Sequence, residues 1–444
     1  MILSLLVFIL FSNIALIADV LGLYDYIVPL VAVSAAVFLF CVCAPSWRSF
    51  PQVRTKKIQR GVVLLINFLV TVIVDALALG AYWIVFCNIM DERDYWNNAV
   101  IADIIIAVIA GNIIFWSGII RVYISSKQLG MKWRVIGILC GMIPIAHLIA
   151  LGKIISLTSR EYKEENARYK LNQSRKDEQV CMTKYPLLMV HGVFFRDFKF
   201  FNYWGRVPDD LMENGATIYY GDQQSAASVD ECGKELAEKI RHIVETTGCE
   251  KVNIIAHSKG GLDSRCAITK YGCAPYVASL TTVNTPHRGC QFADYLLNKA
   301  PQGLKDSVAA QYNGALRKAG DKNPDFIAAV SDLTQSACEK FNASCPDSPA
   351  VYYQSVGSKS VSAAGGKFPL NLSYHLVKYF DGPNDGLVAM PSMKWGDTFT
   401  FVTPRKSRGI THGDMIDLNR ENIDGFDVRE TYVELVSNLK KKGF

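Results

Sequence analysis

Charged residues are almost missing from the start of this 444-residue chain: between Met1 and Trp47, Asp19 and Asp25 are the only two. Charges become frequent after about residue 158, so the chain divides into an apolar third and a polar remainder. The net charge of +6 is small and comes partly from short basic loops, which argues against a nucleic-acid-binding surface.

The sequence also has no C-x-x-C pair among its twelve cysteines, which argues against a zinc ribbon or a dithiol redox site. A local bridge between Cys338 and Cys345 is one alternative. Free thiols that pack as small hydrophobic side chains are the interpretation that we favour.

The apolar third contains five hydrophobic runs of about the length that crosses a bilayer. A cleaved signal peptide does not fit, because no basic segment precedes residue 2 and the apolar pattern resumes at once. We therefore expect a membrane domain of about five transmembrane helices over residues 1–157, followed by a helical linker at 158–182. The five runs are 2–23, 27–46, 61–90, 99–120 and 135–157.

The loops between these runs differ in charge. Loops 47–60 and 121–134 are basic without a single acid, whereas 91–94 reads DERD. Basic loops stay on the cytoplasmic side, so five spans would place the polar part of the chain outside. The basic residues of 160–176 and the free cysteines favour the opposite, reducing side.

Two acids, Asp75 and Asp103, lie within the apolar runs. Ionisable side chains are costly at bilayer depth and often functional there. Packing against a neighbouring helix, or a place near the membrane interface, would explain them equally well.

From about residue 183, short apolar runs alternate with helical patterns. Ser228 and Glu231 form a capping box at the start of a helix that Gly248 ends. This alternation predicts an α/β domain over 183–444, with a mostly parallel sheet and helices on both faces. The predicted strand segments are 187–190, 216–220, 252–256, 279–284, 351–357 and 398–402.

A serine follows one of these runs, in NIIAHSKGGLDSR (253–265). A turn between a buried strand and a helix exposes the serine Oγ next to the helix N-terminus, and it requires small residues two positions before and after the serine. Ala256 and Gly260 meet that requirement, although the usual pattern has glycine at the first position. Ser258 is therefore the candidate nucleophile, and a polar residue in a plain turn is the alternative.

A serine nucleophile needs a base later in the chain. His412 follows the last predicted strand and precedes the final helix, where this architecture places the base. We interpret His375, in an apolar run, and His257, beside the serine, as structural. The histidines after Ser258 are His287, His375 and His412.

The acid that orients the base should come from the segment FDGPNDGLV (380–388), which supplies Asp381 and Asp385. Asp385 lies in an N-D-G turn at about the right place, so it is the candidate acid. Its alternative role is turn formation alone.

Two backbone N–H groups are needed to stabilise the oxyanion. Lys259, directly after the serine, should supply one of them. Val193 should supply the other, since it follows the His-Gly that ends the first strand, with Phe194 as second choice. The Lys259 side chain is expected to be free at the surface, with contact to an anionic head group as a further hypothesis.

Six motifs in order make residues 183–440 resemble the bacterial triacylglycerol lipases of the α/β-hydrolase fold. The resemblance implies Ser258, Asp385 and His412 as catalytic residues, with Val193 and Lys259 as oxyanion donors. It also implies a helical lid at 290–345 over an apolar acyl groove. The motifs are YPLLMVHG (185–192), FNYWGR (201–206), AHSKGGLDSR (256–265), VNTPHRG (283–289), NDGLV (384–388) and His412.

The chain departs from this family in three respects. Ala256 replaces the usual glycine, and the membrane domain falls outside the resemblance altogether. Many relatives hold a structural calcium ion near the base, and Asp414 matches one ligand position, but the other ligands have no counterpart here.

The sequence thus predicts a membrane-anchored serine hydrolase that cleaves carboxylic esters, most simply of lipids, without a required cofactor. Its expected partners are a lipid or ester substrate and the bilayer, and no nucleic acid. One alternative is a phospholipid or lipoprotein acyl hydrolase or acyltransferase, which would use the same triad. The non-enzyme alternative is a membrane protein with a degenerate hydrolase domain as a binding module.

Overall fold

A computed structural model shows two compact units, Met1–Leu171 and Asn172–Phe444. It describes residues 2–46, 52–90, 94–141, 143–193, 203–224, 227–299, 301–303, 305–306, 309–310, 313–314, 325–365, 370–403 and 408–444.

The N-terminal unit is helical throughout its described elements. A 3₁₀ turn at Tyr24–Tyr26 leads into the third helix, and a π-helical segment, Trp83–Ile89, extends the fourth. The helices are α1 (Ile2–Ser12), α2 (Ile14–Val20), α3 (Ile27–Cys43), α4 (Val53–Tyr82), α5 (Asn98–Ser125), α6 (Gly130–Cys140) and α7 (Pro144–Ser174).

Three helical segments among the described residues are long and apolar enough to cross a membrane: Tyr24–Cys43, Val53–Ile89 and Asn98–Ser125. The pair α1 and α2, bent by 65°, would make a fourth if it counts as one span. The predicted fifth span, 135–157, falls on two separate helices, and neither qualifies within the described residues. Its apolar run is interrupted before Pro144, whose ring suits a first helical turn, and α7 then continues as a polar helix.

The C-terminal unit alternates strands and helices. Its strands are β1 (Leu187–Val190), β2 (Ile218–Tyr220), β3 (Val252–His257), β4 (Val277–Val283), β5 (Tyr352–Ser358) and β6 (Thr398–Val402). Its helices are α8 (Val207–Glu213), α9 (Val229–Thr247), α10 (Gly260–Thr269), α11 (Gln291–Lys299) and the later segments Phe326–Ser331, Gln335–Ser344, Leu370–Asp381, Met390–Met393 and Val428–Lys441.

The six strands form one parallel sheet in the order β2-β1-β3-β4-β5-β6. In the centre, Ala256 of β3 pairs with Val190 of β1 and Thr282 of β4. The strand order reverses between β1 and β3, so the loops that leave their carboxyl ends diverge. A crevice at such a switch point is where open parallel sheets place their ligands.

Successive residues of the inner strands face two different cores. Leu187 and Met189 of β1 pack with residues of α8 and the C-terminal helix, whereas Leu188 and Val190 pack with α9 and α10. Burial on both faces explains the near-continuous apolar runs in the sequence. The structure thereby confirms the predicted α/β class, with a parallel sheet and helices on both sides, after an N-terminal helical region.

Two further expectations concern the loops and the cysteines. All twelve cysteines are free, so no bridge joins Cys338 to Cys345, and both of these thiols are buried. The predicted lid, 290–345, lies partly outside the described residues. The Phe and Tyr residues around 194–204 would suit the predicted acyl groove, and 194–202 also lie outside the described residues. The lid and the groove stay predictions, as do the domain bounds.

Candidate active site

Ser258 lies in the tight turn between β3 and α10. Its φ of +56° is unusual for a residue with a side chain. Such strain costs on the order of 1–3 kcal/mol and persists only where neighbouring contacts fix the backbone. Here Ser258 N–H donates to Val283 O at 2.9 Å, and Gly261 N–H donates to Ser258 O at 3.1 Å. The half-buried Ser258 is therefore held in an elbow that projects its side chain beyond the strand end.

Two glycines let the elbow pack against the end of β1. A Cβ at Gly260 would lie 2.4 Å from His191 O, and a Cβ at Gly192 would lie 2.7 Å from Ser258 Cβ. Both distances are too short for any side chain. The need for a small residue two positions after the serine thus has a direct cause, and the loop after β1 begins in contact with the nucleophile candidate.

Asp385 and His412 come together on neighbouring loops. His412 Nδ1 lies 2.7 Å from Asp385 Oδ2, and His412 N–H donates to Asp385 O at 2.9 Å. Both side chains are nearly inaccessible. This contact makes Nδ1 the protonated nitrogen, which leaves Nε2 to accept a proton.

The Asp385 carboxylate is fixed by three further donors. Leu387 N–H and Val388 N–H donate to Oδ1 at 2.9 and 2.8 Å. Asn284 Nδ2 donates to Oδ2 at 2.6 Å, so this oxygen serves both Asn284 and His412. The N-D-G turn therefore does more than reverse the chain, because its N–H groups orient the acid. Our sequence reasoning did not single out Asn284, although it stands in the quoted motif VNTPHRG.

His257 and Tyr203 link the loop after β1 to His412. Gly192 N–H donates to the Tyr203 hydroxyl at 3.0 Å, and that hydroxyl lies 2.6 Å from His257 Nδ1. The Tyr203 hydroxyl oxygen accepts from Gly192 N–H, so the hydroxyl can donate its own proton to His257 Nδ1. Burial lowers the pKa of His257 well below its ordinary value, so this ring stays neutral. Tyr203 lies in the motif FNYWGR, the signal that could have identified it.

The ring of His257 lies against the ring of His412, with centroids 4.4 Å apart. His412 is thus packed beside the residue that precedes Ser258. Among the described residues, no hydrogen bond joins Ser258 Oγ to His412. The geometry therefore brings together Asp385 and His412 directly, and it brings Ser258 to the same end of the sheet.

The backbone N–H groups of Val193 and Lys259 donate to no group among the described residues. Val193 directly follows Gly192, which touches Ser258, and Lys259 begins the first turn of α10. Unpaired N–H groups at a helix N-terminus attract negative charge. Phe194, the second choice, lies outside the described residues.

The expectation of a free Lys259 side chain is wrong. Lys259 is only 1% exposed, and its Nζ lies 2.7 Å from Asp263 Oδ1 and 3.3 Å from Cys232 Sγ. The carboxylate of Asp263 raises the pKa of Lys259 against the opposing effect of burial, so the ammonium stays charged. The side chain therefore braces α10 against α9, and the head-group hypothesis fails.

Asp414 does not offer a free carboxylate to calcium. Thr411 N–H donates to its Oδ2 at 2.8 Å, and Arg408 Nη2 lies 3.3 Å from its Oδ1. Calcium requires six or more oxygen ligands, several of them carboxylates. No group of three or more His, Cys, Asp or Glu side chains suited to a metal occurs in the described part of the chain. The residues around Asp414 thus fit a guanidinium better than an ion.

Comparison with known proteins finds relatives of the hydrolase part of the chain. Residues 211–320 match the family described as "Putative serine esterase (DUF676)". The chain is 34% identical over 183 residues to a triacylglycerol lipase of Pseudarthrobacter phenanthrenivorans, a match that covers 38% of this chain and 56% of that lipase. It is 29% identical over 236 residues to a triacylglycerol lipase of Vibrio cholerae, covering 48% and 75% respectively.

Among solved structures, the mature lipase BlEst2 of Bacillus licheniformis superposes with a TM-score of 0.42 at 22% identity, covering 57% of this chain and 92% of that one. The chain spans only about half the length of the first relatives that it matches, 56% and 50%. The similarities confirm the expected resemblance to triacylglycerol lipases.

Proposed function

We propose that this protein is a membrane-anchored serine hydrolase that cleaves carboxylic esters of lipids through a Ser258–His412–Asp385 triad. The observation that carries the proposal is the 2.7 Å contact between His412 Nδ1 and Asp385 Oδ2, at the end of the sheet where Ser258 occupies a strained turn. A buried carboxylate that holds an imidazole beside a serine elbow is the arrangement that activates a serine.

The reaction follows from these positions. Ser258 Oγ attacks the ester carbonyl carbon while its proton passes to Nε2 of His412. Asp385 keeps the other ring proton on Nδ1 and stabilises the imidazolium. The N–H groups of Val193 and Lys259 stabilise the oxyanion, and the alcohol leaves with the proton from His412. Water, deprotonated by His412, then attacks the acyl-enzyme and releases the carboxylic acid.

The apolar helices support the anchoring part of the proposal. Three segments of 20, 37 and 28 residues satisfy the length and hydropathy of a membrane span. An enzyme tethered in this way meets bilayer-derived esters at high local concentration. The loop charges place the hydrolase unit outside the cytoplasm only if residues 135–157 form a fifth span; without that span, the basic loop 121–134 places the unit on the cytoplasmic side.

The test uses the full-length protein in detergent. Hydrolysis of p-nitrophenyl esters of increasing chain length is measured for the wild type, Ser258→Ala and Ser264→Ala. Ser264 is a matched control, because it lies on α10, the helix that follows the Ser258 turn, and its buried hydroxyl donates to Gly260 O at 2.7 Å. We expect turnover to be lost in S258A and kept in S264A, with a preference for longer acyl chains. Equal turnover in S258A and the wild type would remove the nucleophile assignment.

A further inference from the structure

The N-terminal unit contains a polar cluster where its first helical pair breaks. Helices α1 and α2 meet at an angle of 65°, with Ser12 and Asn13 at the bend. Asp75 of α4 lies against this bend: its Oδ1 accepts from Ser12 Oγ and from Asn13 Nδ2, both at 2.7 Å. A broken helix frees backbone groups, and in membrane proteins such breaks are where ions and substrates bind.

A second acid, Asp103 of α5, lies beside the same bend and is 3% exposed. Its Oδ1 accepts from Leu16 N–H at 3.3 Å, in the first turn of α2. The first turn of α2 thus supplies a donor to Asp103, and a negative charge is favourable at a helix N-terminus. Neither acid forms an ion pair within the described residues. Asp75 is bonded only to neutral donors, so in its ionised form no cation among the described residues would balance its charge.

Two buried side-chain oxygens accept nothing: one is on Asn13, which contacts Asp75, and the other is on Thr71, one helical turn before Asp75. Asn13 Oδ1 has no partner although Asn13 is 5% exposed, and Thr71 Oγ1 has none although Thr71 is 1% exposed. Thr71 precedes Asp75 by four residues and therefore lies on the same face of α4. Buried polar atoms are nearly always satisfied, and an orphan costs about 1–3 kcal/mol.

We propose that this cluster, formed by Asn13, Thr71, Asp75 and Asp103, is a binding site for one sodium ion. Carboxylate, amide and hydroxyl oxygens are the ligands of hard cations. One uncompensated carboxylate matches a single positive charge, and a divalent ion would need more. A proton on Asp75 would cancel the charge but leave both orphan oxygens unpaired. A water molecule could donate hydrogen bonds to both unpaired oxygens, but it would not balance the negative charge of Asp75.

The test is direct binding of ²²Na⁺ to the full-length protein in detergent, with choline as the replacement cation. We expect saturable binding, weakened at least about tenfold in Asp75→Asn, since loss of one member of an ion site typically costs that much. Thr71→Val keeps the shape and removes the hydroxyl, so it should also weaken binding. Asp25→Asn is the matched control, because Asp25 is an exposed acid of the same unit.

Saturable binding by the wild type and D25N, with reduced affinity in D75N and T71V, would support the site. Absence of saturable binding in the wild type would overturn it, and so would an equal loss in D25N. If D75N cannot be purified in a folded state, unchanged affinity in T71V is the refuting result. The outcome is independent of ester hydrolysis, which S258A should lose while it keeps full sodium binding.

Discussion

Replacing Asp385 by asparagine should nearly abolish catalysis while leaving the fold intact. The new amide would have to present its carbonyl oxygen to Leu387 N–H and Val388 N–H, because both of these groups are donors at 2.9 and 2.8 Å from the native Oδ1. Its NH₂ group would then take the place of Oδ2 and face His412 Nδ1. An NH₂ group cannot accept a proton, so Nδ1 must become the acceptor and the ring proton must move to Nε2.

That tautomer cannot deprotonate Ser258. The loss expected from the wrong tautomer is about 10⁴-fold in kcat, which corresponds to roughly 5 kcal/mol of transition-state stabilisation. The NH₂ group would also meet Asn284 Nδ2, now 2.6 Å from Oδ2. The opposite orientation would turn the NH₂ group towards Leu387 N–H and Val388 N–H, so each orientation brings donors together.

The assay is kcat for a short-chain p-nitrophenyl ester, with far-UV circular dichroism to verify folding. Asp381→Asn is the matched control. Asp381 was the other candidate acid of the same segment, and its Oδ1 accepts Gln291 N–H at 2.9 Å, away from His412. We expect D381N to keep its turnover. A folded D385N enzyme that retains roughly a tenth or more of wild-type kcat would refute the tautomer argument.

Three other perturbations follow from contacts in the hydrolase unit. Gly192→Ala places a Cβ 2.7 Å from the nucleophile's Cβ, so kcat should fall by about 10²-fold through misplacement of the elbow. Lys259→Met leaves the 2%-exposed side chain of Asp263 without its partner and should cost about 3–5 kcal/mol of stability. The double variant K259M/D263L should recover most of that loss, since it removes both buried charges. Chelation of calcium should not change Tm, because Arg408 already faces Asp414.

A specific result would contradict each of these three predictions. Full activity in G192A would show that the loop after β1 can retreat from the elbow. Thermal unfolding of K259M at the wild-type temperature, or no recovery in the double variant, would mean that the buried Lys259–Asp263 pair does not govern stability in this way. A fall in Tm with EDTA that added calcium reverses would place an ion near Asp414 after all.

Local sequence patterns predicted most of the fold. Runs of strand-forming residues marked all six strands, most clearly the inner strands β1, β3 and β4, which are buried on both faces. The Ser228 capping box is present, with Gly248 at φ +71° at the end of that helix. The count of spanning helices was less predictable. A hydropathy pattern does not reveal the helix break before Pro144, which divides the fifth apolar run between α6 and α7.

The candidate site was likewise predictable only in part. Residue type and order in the chain were enough to propose Ser258, Asp385 and His412, because each follows a strand of one sheet. The side chains that touch them were not predictable, since Tyr203, Asn284 and the buried Lys259 depend on tertiary packing. For a lysine in a turn, exposure is the ordinary expectation, and only the approach of Cys232 and Asp263 reverses it.

The most direct test of the central claim is to locate the residue that a fluorophosphonate modifies in the full-length protein. Peptide mass spectrometry after labelling should find the adduct on Ser258, with labelling slowed strongly in His412→Asn. An adduct on a different serine, or continued ester hydrolysis by protein that carries no adduct at Ser258, would contradict the account.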